Sequence, residues 1–210
     1  MLAGICAYLI SAVNPAILLS KAVYKKDIRN CGSGNPGFTN FKRTFGNLAW
    51  LVMILDLLKS ALPSLVFGYI LSGMGFEWQF AVAFICLFSM LGHAFPVWYG
   101  FKGGKGFLVC LSAMWIFHPL CGLAATAVMV VLLLSLKYMS LATMAGLISA
   151  LVVIPLVGIE SSAGFIIMCA CVLFMIIRHK ENISRLIGGT ENKFSVFEKK
   201  KVKDKDLTRS

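Results

Sequence analysis

Long apolar segments recur along the whole of this chain, separated by shorter polar stretches. A helix needs about 20 apolar residues to cross ~30 Å of hydrocarbon, and several of these segments approach or reach that length. Inside a bilayer the backbone must satisfy its own hydrogen bonds, so such segments form helices. With 59% hydrophobic and only 14% charged residues, the chain does not fit the class of soluble globular domains. The sequence predicts an all-α integral membrane protein built as a polytopic bundle.

The apolar pattern predicts about seven transmembrane helices. We place them at residues 2–23, 48–71, 80–97, 107–117, 120–136, 141–157 and 164–177. The first contains Asn14-Pro15, where the proline is expected to kink the helix. The fourth is short for a full crossing, so about five full spans with two partial ones is an alternative. The first span is expected to be retained, because no basic segment precedes it.

The positive charges predict how the bundle lies in the membrane. If the N-terminus is outside and the chain crosses seven times, one face carries all of the 20 lysines and arginines except Lys59. Lysine and arginine are enriched in cytoplasmic loops, so this face and the C-terminus are expected to be cytoplasmic. The net charge of +11 is then a signal of topology, and no nucleic-acid partner is implied.

The chain is expected to hold one membrane-embedded domain, residues 1–191, followed by a tail. Residues 192–210 form a basic segment that is densely charged from Glu198 onward, which predicts a disordered cytoplasmic tail. The seven cysteines are scattered, and Cys169 and Cys171 lack the spacing of a zinc site. We therefore predict no metal site and no cofactor.

Three polar segments interrupt the apolar pattern, and under this topology all three lie on the cytoplasmic face. We call residues 32–43 island one, residues 101–106 island two and residues 178–191 island three. The assignment of the spans does not assume that the three islands share a face. The three islands therefore predict a single composite site.

Island one combines glycines, hydroxyls and amides with an arginine near its end. Ser33 and Asn40 offer polar side chains, and the planar guanidinium of Arg43 suits a bidentate contact with a phosphate. The alternative is an ordinary polar loop whose basic residues only anchor the topology.

Island two has the sequence FKGGKG and leads into an apolar segment. Glycines let backbone N–H groups approach an anion, a helix N-terminus adds about half a positive charge, and a lysine adds a full one. Gly103, Gly104, Lys105 and Gly106 therefore predict a phosphate cradle. The alternative is a flexible turn with lysines at the membrane interface. His93, upstream of the turn, is either a ligand contact or a buried structural histidine.

In island three, His179, Asn182 and Arg185 follow one another at intervals that place them on one face of a helix. That face can point at the other islands. The alternative is a basic juxtamembrane helix that rests on anionic headgroups.

Two charged residues lie within the second span. Asp56 and Lys59 are neighbours on one helix face. Charges inside a membrane are costly and usually pair, so we interpret these two as a structural ion pair.

Taken together, the islands resemble a known family. GSGNPGFTNFKR at 32–43, GHAFPVWYGFKGGKG at 92–106 and RHKENISRLIGGTE at 178–191 are similar, in order and spacing, to the three motifs of the bacterial acyl-phosphate:glycerol-3-phosphate acyltransferases. The resemblance spans about residues 1–191. It implies a multi-pass enzyme of the bacterial cytoplasmic membrane whose active site faces the cytoplasm.

The resemblance implies transfer of a fatty acyl group from acyl phosphate to the sn-1 hydroxyl of glycerol 3-phosphate. The products are lysophosphatidic acid and inorganic phosphate, at an early step of phospholipid synthesis. Neither coenzyme A nor acyl carrier protein is used, and no obligate protein partner is implied. With the interpretation of the residues above, the predicted roles are acyl-phosphate binding by His93, Gly103, Gly104, Lys105 and Gly106; glycerol 3-phosphate binding by Ser33, Asn40, Arg43, His179 and Asn182; catalysis by Ser33, Arg43, Lys105, His179 and Asn182; and structural support by Asp56, Lys59 and Glu191.

The residues agree with such chemistry on independent grounds. Other glycerolipid acyltransferases use a His-x4-Asp pair as base, but here Trp98, Leu123 and Ser184 stand at that distance from the histidines. Acyl phosphate is a mixed anhydride with a good leaving group, so orienting two anions can suffice. The rival classes are a transporter of a phosphorylated solute, disfavoured because no internal repeat is found, and a lipid-binding scaffold, which needs no such motifs.

Overall fold

The computed structural model describes residues 1–195, and within them the regular secondary structure is helical. Most of the predicted tail, residues 196–210, lies outside the described residues. The α-helices are α1 (Leu2–Ala12), α2 (Pro15–Tyr24), α3 (Phe38–Phe45), α4 (Ala49–Gly73), α5 (Trp78–Ala94), α6 (Phe107–Phe117), α7 (Pro119–Leu136), α8 (Met139–Val157), α9 (Ser162–Arg178) and α10 (Lys180–Ile187). The all-α prediction is confirmed.

The helix lengths fit a membrane protein. Over the described residues, the apolar stretches long enough to cross a bilayer are Leu2–Tyr24, Phe38–Gly73, Trp78–Tyr99, Pro119–Leu136 and Met139–Val157. Helix α6 has only 11 residues and coincides with the predicted short span. Helices α9 and α10 form a pair that is bent by 58°. The integral membrane bundle is thus confirmed, whereas the number of crossings and the side of each terminus stay predictions.

The first span is broken where the sequence predicts a kink. Helix α1 ends at Ala12 and α2 begins at Pro15. Between them Asn14 caps α2, because its side-chain oxygen accepts the N–H of Ile17 at 3.0 Å. The side-chain nitrogen of Asn14 donates to the carbonyl of Pro36 at 3.1 Å, which ties island one to this break.

Helix α5 lies at the centre of the bundle and contacts α1, α4, α6 and α9. The residues that it buries are mostly small, among them Ala81, Ala83 and Cys86. Gly92 passes so close to the backbone of Tyr8 in α1 that a Cβ would collide with its carbonyl. Such close approach gives membrane helices the dispersion contacts that hold them together, since lipid tails compete for apolar surface. Large exposed apolar residues mark the outer surface, for example Leu62, Val131, Leu156 and Ile166.

A buried ion pair supports the same region of the fold. In α4 the Nζ of Lys59 lies 2.8 Å from Oδ1 of Asp56, and both side chains are buried. The two side chains thus pair as the sequence predicts, while the structural role assigned to the pair stays a prediction. Lys59 also donates to the carbonyl of Val13 at 3.1 Å, within the break between α1 and α2. The break therefore supplies the ammonium group with a second acceptor, which offsets part of the cost of its burial.

Candidate active site

A cavity of about 800 Å³ opens between the three islands and helices α4, α6, α7 and α8. Each island contributes polar side chains to it, as the single composite site requires. The predicted site residues on its wall are Ser33, Asn40, Arg43, Asp56, His93, Lys105, Gly106, His179, Asn182 and Glu191. Gly103, Gly104 and Lys59 are not among the residues that line it. Placement is thereby established for most of the predicted set, while the role of each residue stays a prediction.

Island one is shaped by Asn40, which is buried at the start of α3. Its side-chain oxygen accepts the N–H of Ser33 at 3.0 Å, and its nitrogen donates to the carbonyl of Cys31 at 2.9 Å. Gly32 has a φ of 57°, and a Cβ there would collide with the Asn40 amide. Both ends of this amide are therefore occupied by the loop. The position of Asn40 suits a residue that orients Ser33. It suits the predicted direct contact with glycerol 3-phosphate less well.

Arg43 projects from the same helix into the cavity wall. Its Nη2 donates to the carbonyl of Asn192 at 2.9 Å and lies 3.4 Å from the carbonyl of Lys193. A guanidinium carries five N–H donors. Among residues 1–195, no partner is found for its Nε and Nη1 groups. Donors therefore remain for an anion in the cavity.

In island two the structure corrects the predicted role of two backbone amides. The N–H groups of Gly103 and Gly104 donate to the carbonyls of Ala94 and His93, each at 3.1 Å, so these amides are already paired. Both glycines are buried, and a Cβ on Gly104 would collide with the imidazole of His93. The prediction that these two amides cradle a phosphate is wrong, because the segment folds back on the end of α5. The glycines instead allow the close packing that leaves Lys105 at the cavity.

His93 is buried at that junction and also lines the cavity. Its Nδ1 lies 3.7 Å from Oδ1 of Asp56, beyond hydrogen-bond distance. Oδ1 of Asp56 is instead paired with Nζ of Lys59 at 2.8 Å, whereas Nδ1 of His93 has no hydrogen-bond partner in the part of the chain that the structure describes. The buried position agrees with the structural alternative, and the cavity position agrees with the ligand alternative.

Lys105 and island three are joined by a chain of hydrogen bonds. The Nζ of Lys105 donates to Oδ1 of Asn182, whose nitrogen donates to Glu191 at 2.7 Å. Glu191 also accepts from Arg185 at 2.7 Å and from Ser140 at 2.8 Å. Burial would raise the pKa of Glu191, but the hydrogen bonds from these side chains lower it. The structure thus agrees with the supporting role predicted for Glu191.

The ammonium group of Lys105 is partly desolvated by this arrangement. Burial lowers its pKa to about 8, and the neighbouring charge of Arg185 acts in the same direction. A lysine in such a position gains from an anion beside it, because the anion offsets both effects. The cavity is therefore prepared for a negatively charged ligand at this point.

His179 lies at the bend between α9 and α10. Its Nδ1 is 2.8 Å from the carbonyl of Met175, an arrangement in which Nδ1 carries the hydrogen. Nε2 is then the nitrogen that can accept a proton. His179, Asn182 and Arg185 all line the cavity, which agrees with the prediction that they face one site.

One part of the cavity wall is apolar, and no feature of the sequence predicted it. Helices α6 and α7 and the start of α8 supply Phe107, Leu108, Met129, Val130, Leu133 and Met139. These residues sit in uniformly apolar helices, so no pattern in the sequence separates those that face the cavity from those that face lipid. The cavity thus joins a cationic polar region to an apolar one.

The cavity also includes residues assigned to the tail. Residues 192–195 line it, and Phe194 is only 4% exposed. The structure thus packs four residues beyond the predicted boundary at residue 191 against the domain, while the boundary itself stays a prediction. The segment from 192 to 195 looks like tail in the sequence because polar residues surround its single aromatic side chain.

Comparison with known proteins gives the same family throughout. The family model described as glycerol-3-phosphate acyltransferase matches residues 1–189. A glycerol-3-phosphate acyltransferase of Thermoanaerobacter pseudethanolicus is 36% identical over 194 residues, covering 92% of this chain and 94% of the relative. One from Listeria monocytogenes is 36% identical over 196 residues, covering 92% and 96%.

Solved structures show the same fold. The crystal structure of PlsY (YgiH), an integral membrane glycerol 3-phosphate acyltransferase, in its glycerol 3-phosphate form superposes with a TM-score of 0.83 at 33% identity, covering 92% of this chain and 94% of that one. The lysophosphatidic acid form gives 0.81 at 32% identity, covering 94% and 96%.

Proposed function

The chain belongs to the glycerol-3-phosphate acyltransferase family, and from that membership we propose that it transfers a fatty acyl group from acyl phosphate to the sn-1 hydroxyl of glycerol 3-phosphate. The products are lysophosphatidic acid and inorganic phosphate. The observation that carries the proposal is a cavity with cationic side chains on one part of its wall and apolar side chains on another. Such a cavity fits two phosphates and one fatty chain.

Positive charge at the cavity comes from Arg43, Lys105 and Arg185, together with Lys42 and Lys193. Two phosphate substrates repel each other, so bringing them together requires cations in a poorly solvated site. We assign Arg43, with Ser33, His179 and Asn182, to glycerol 3-phosphate. Lys105 and the N-terminus of α6 at Gly106 are assigned to acyl phosphate.

The apolar wall takes the acyl chain in this proposal. Phe107 and Leu108 follow directly on the Gly106 turn, and Leu133 stands on the neighbouring helix. A phosphate held at Lys105 would thus leave its chain next to apolar side chains. The arrangement favours a donor that carries phosphate and fatty chain on the same small molecule.

The reaction needs few protein groups. The sn-1 oxygen forms a bond to the acyl carbonyl carbon, the bond from that carbon to the bridging phosphate oxygen breaks, and the electron pair leaves with phosphate. The hydroxyl proton passes to a phosphate oxygen or to Nε2 of His179. Holding the two reactants in line supplies effective molarities of about 10⁵ M or more in favourable cases.

We place the cavity on the cytoplasmic side of a bacterial plasma membrane. The excess of lysine and arginine on the predicted inner face supports this side. The meeting of all three islands at one cavity supports it further, because they are assigned to the same face.

The test is an assay on purified protein in detergent. Release of phosphate from acyl phosphate is expected only when glycerol 3-phosphate is present, with lysophosphatidic acid detected by mass spectrometry. Replacement of Arg43 by alanine is expected to abolish both signals. Activity with acyl-coenzyme A in place of acyl phosphate would contradict the proposed donor. A well-folded protein that releases nothing in detergent would point instead to a transporter, which needs a sealed membrane.

A further inference from the structure

Residues 192–195, which we call the closing segment, lie beyond the part of the chain that the family model matches. The segment directly follows Glu191, whose carboxylate is fixed by Asn182 and Arg185. From there it reaches the turn between α7 and α8, where the N–H of Phe194 donates to the carbonyl of Lys137 at 2.6 Å. It therefore connects island three to a part of the bundle that carries no motif.

The side chain of Phe194 anchors this segment. It packs in a small buried cluster with Leu133 of α7 and Ala142 of α8. Its ring centroid is 5.9 Å from that of Phe38, the first residue of α3. The ring thus fills the space between the α7–α8 turn and the helix that bears Arg43.

Arg43 makes two kinds of contact with the closing segment. The carbonyls of Asn192 and Lys193 accept from its Nη2, at 2.9 Å and 3.4 Å. Its guanidinium carbon lies 5.8 Å from the centre of the Phe194 ring, a cation–π distance. Among the described residues these are its hydrogen-bond and ring partners. An arginine side chain has large rotamer freedom, so without such contacts it would not hold one geometry.

We propose that Phe194 is a positioning residue that sets the guanidinium of Arg43 for the phosphate of glycerol 3-phosphate. The ring contacts the guanidinium, and by anchoring the chain it also fixes the two carbonyls that accept from Nη2. The inference rests on the proposed function, in which Arg43 binds that substrate. It gives a residue outside the three motifs a role in setting the binding geometry of Arg43.

The test compares Phe194→Leu with wild type. Leucine keeps an apolar side chain against Leu133 but has no ring face. The KM for glycerol 3-phosphate is expected to rise about threefold to tenfold. A change of this size corresponds to the loss of a partly desolvated cation–π contact. The KM for acyl phosphate is expected to stay within about twofold. Phe194→Tyr, which keeps the ring, is expected to restore the wild-type KM.

Phe117→Leu serves as the matched control. Phe117 is 2% exposed in the main core and does not line the cavity. Its replacement is expected to lower thermal stability without changing either KM. Phe194→Met is made in parallel, so that misfolding of one variant does not end the test.

A second measurement asks whether Phe194 acts through Arg43. In an Arg43→Lys background the effect of Phe194→Leu is expected to shrink below about twofold, because the guanidinium that the ring positions is absent. An unchanged KM for glycerol 3-phosphate in active Phe194→Leu, an equal effect in both backgrounds, or a rise confined to acyl phosphate would each overturn the inference. Wild-type protein that forms no lysophosphatidic acid would overturn the proposed function itself.

Discussion

The ammonium group of Lys105 donates a hydrogen bond to the side-chain oxygen of Asn182, across 77 positions of sequence. Asn182 in turn donates to Glu191 at 2.7 Å. The cation is thus held by a neutral amide, and among the described ion pairs none involves Lys105. Its charge is therefore available to a phosphate and is not cancelled by a carboxylate in contact.

The lowered pKa of Lys105 predicts how activity depends on pH. Burial brings the pKa to about 8. The cation is present below that value and is lost as the pH rises through it. We expect kcat/KM for acyl phosphate, measured from about pH 6.5 to about pH 9.5, to fall above about pH 8, since this ratio reports the free enzyme.

Lys105→Arg distinguishes this lysine from other groups that titrate in the same range. An arginine stays protonated throughout, so the fall above about pH 8 is expected to disappear even if the overall rate is lower. A fall of the same shape in Lys105→Arg would assign the titration to another group.

We also expect activity to depend on the charge of Lys105 but not on that of the neighbouring Lys102. Lys105→Ala should lower kcat/KM about 10²-fold or more, the usual cost of removing one stabilising donor from an active site. Lys102→Ala is the matched control, because Lys102 belongs to the same island but is exposed and does not line the cavity. Its activity should stay within about twofold of wild type. Equal losses would show that only the local charge density matters.

Gly104 is expected to matter for packing. A Cβ at this position would collide with the imidazole of His93, and the Gly104 N–H is already paired with a carbonyl. Gly104→Ala should therefore lower the thermal midpoint in detergent, at a cost of about 1–3 kcal/mol. Gly73→Ala, where the added carbon meets open space, should be neutral or slightly stabilising. Wild-type stability with a raised KM for acyl phosphate alone would restore the phosphate-cradle interpretation.

The sequence predicted the polar part of the site because its residues stand out against an apolar background. Lys105, His179 and Asn182 could be assigned to one cavity from the shared face of their loops. The pairing of Lys105 with Asn182 could not, since it depends on the bend of 58° between α9 and α10. That angle is set by packing, to which local spacing gives no guide.

The apolar part of the site was hidden for the opposite reason. Leu133 and Met129 lie in a helix with no polar face, so nothing in the pattern distinguishes cavity from lipid. Phe194 was missed because it stands among polar residues in the segment that the sequence assigns to a tail. Its burial depends on the α7–α8 turn, which lies more than fifty positions earlier in the chain.

We expect the protein to lose more stability when one member of the buried pair Asp56–Lys59 is replaced than when both are. Lys59→Met leaves the carboxyl of Asp56 without its partner and should cost about 3–5 kcal/mol of stability. Adding Asp56→Leu should recover part of that loss, because no unpaired buried charge remains. Lys25→Met at an exposed position should change stability by less than about 0.5 kcal/mol. A double variant less stable than Lys59→Met would show that the pair contributes more than mutual neutralisation.

Replacement of His179 tests where the hydroxyl proton goes in the proposed reaction. With Nδ1 held by the carbonyl of Met175, Nε2 is free to act as a base. We expect His179→Gln to lower kcat about 10²-fold to 10⁴-fold, with little change in the KM for glycerol 3-phosphate, since glutamine keeps a polar contact but takes up no proton. His118→Gln, at a histidine that does not line the cavity, should leave kcat within about twofold. If His179→Gln retains turnover, the proton passes to a phosphate oxygen of the substrate, and the protein contributes only orientation and charge.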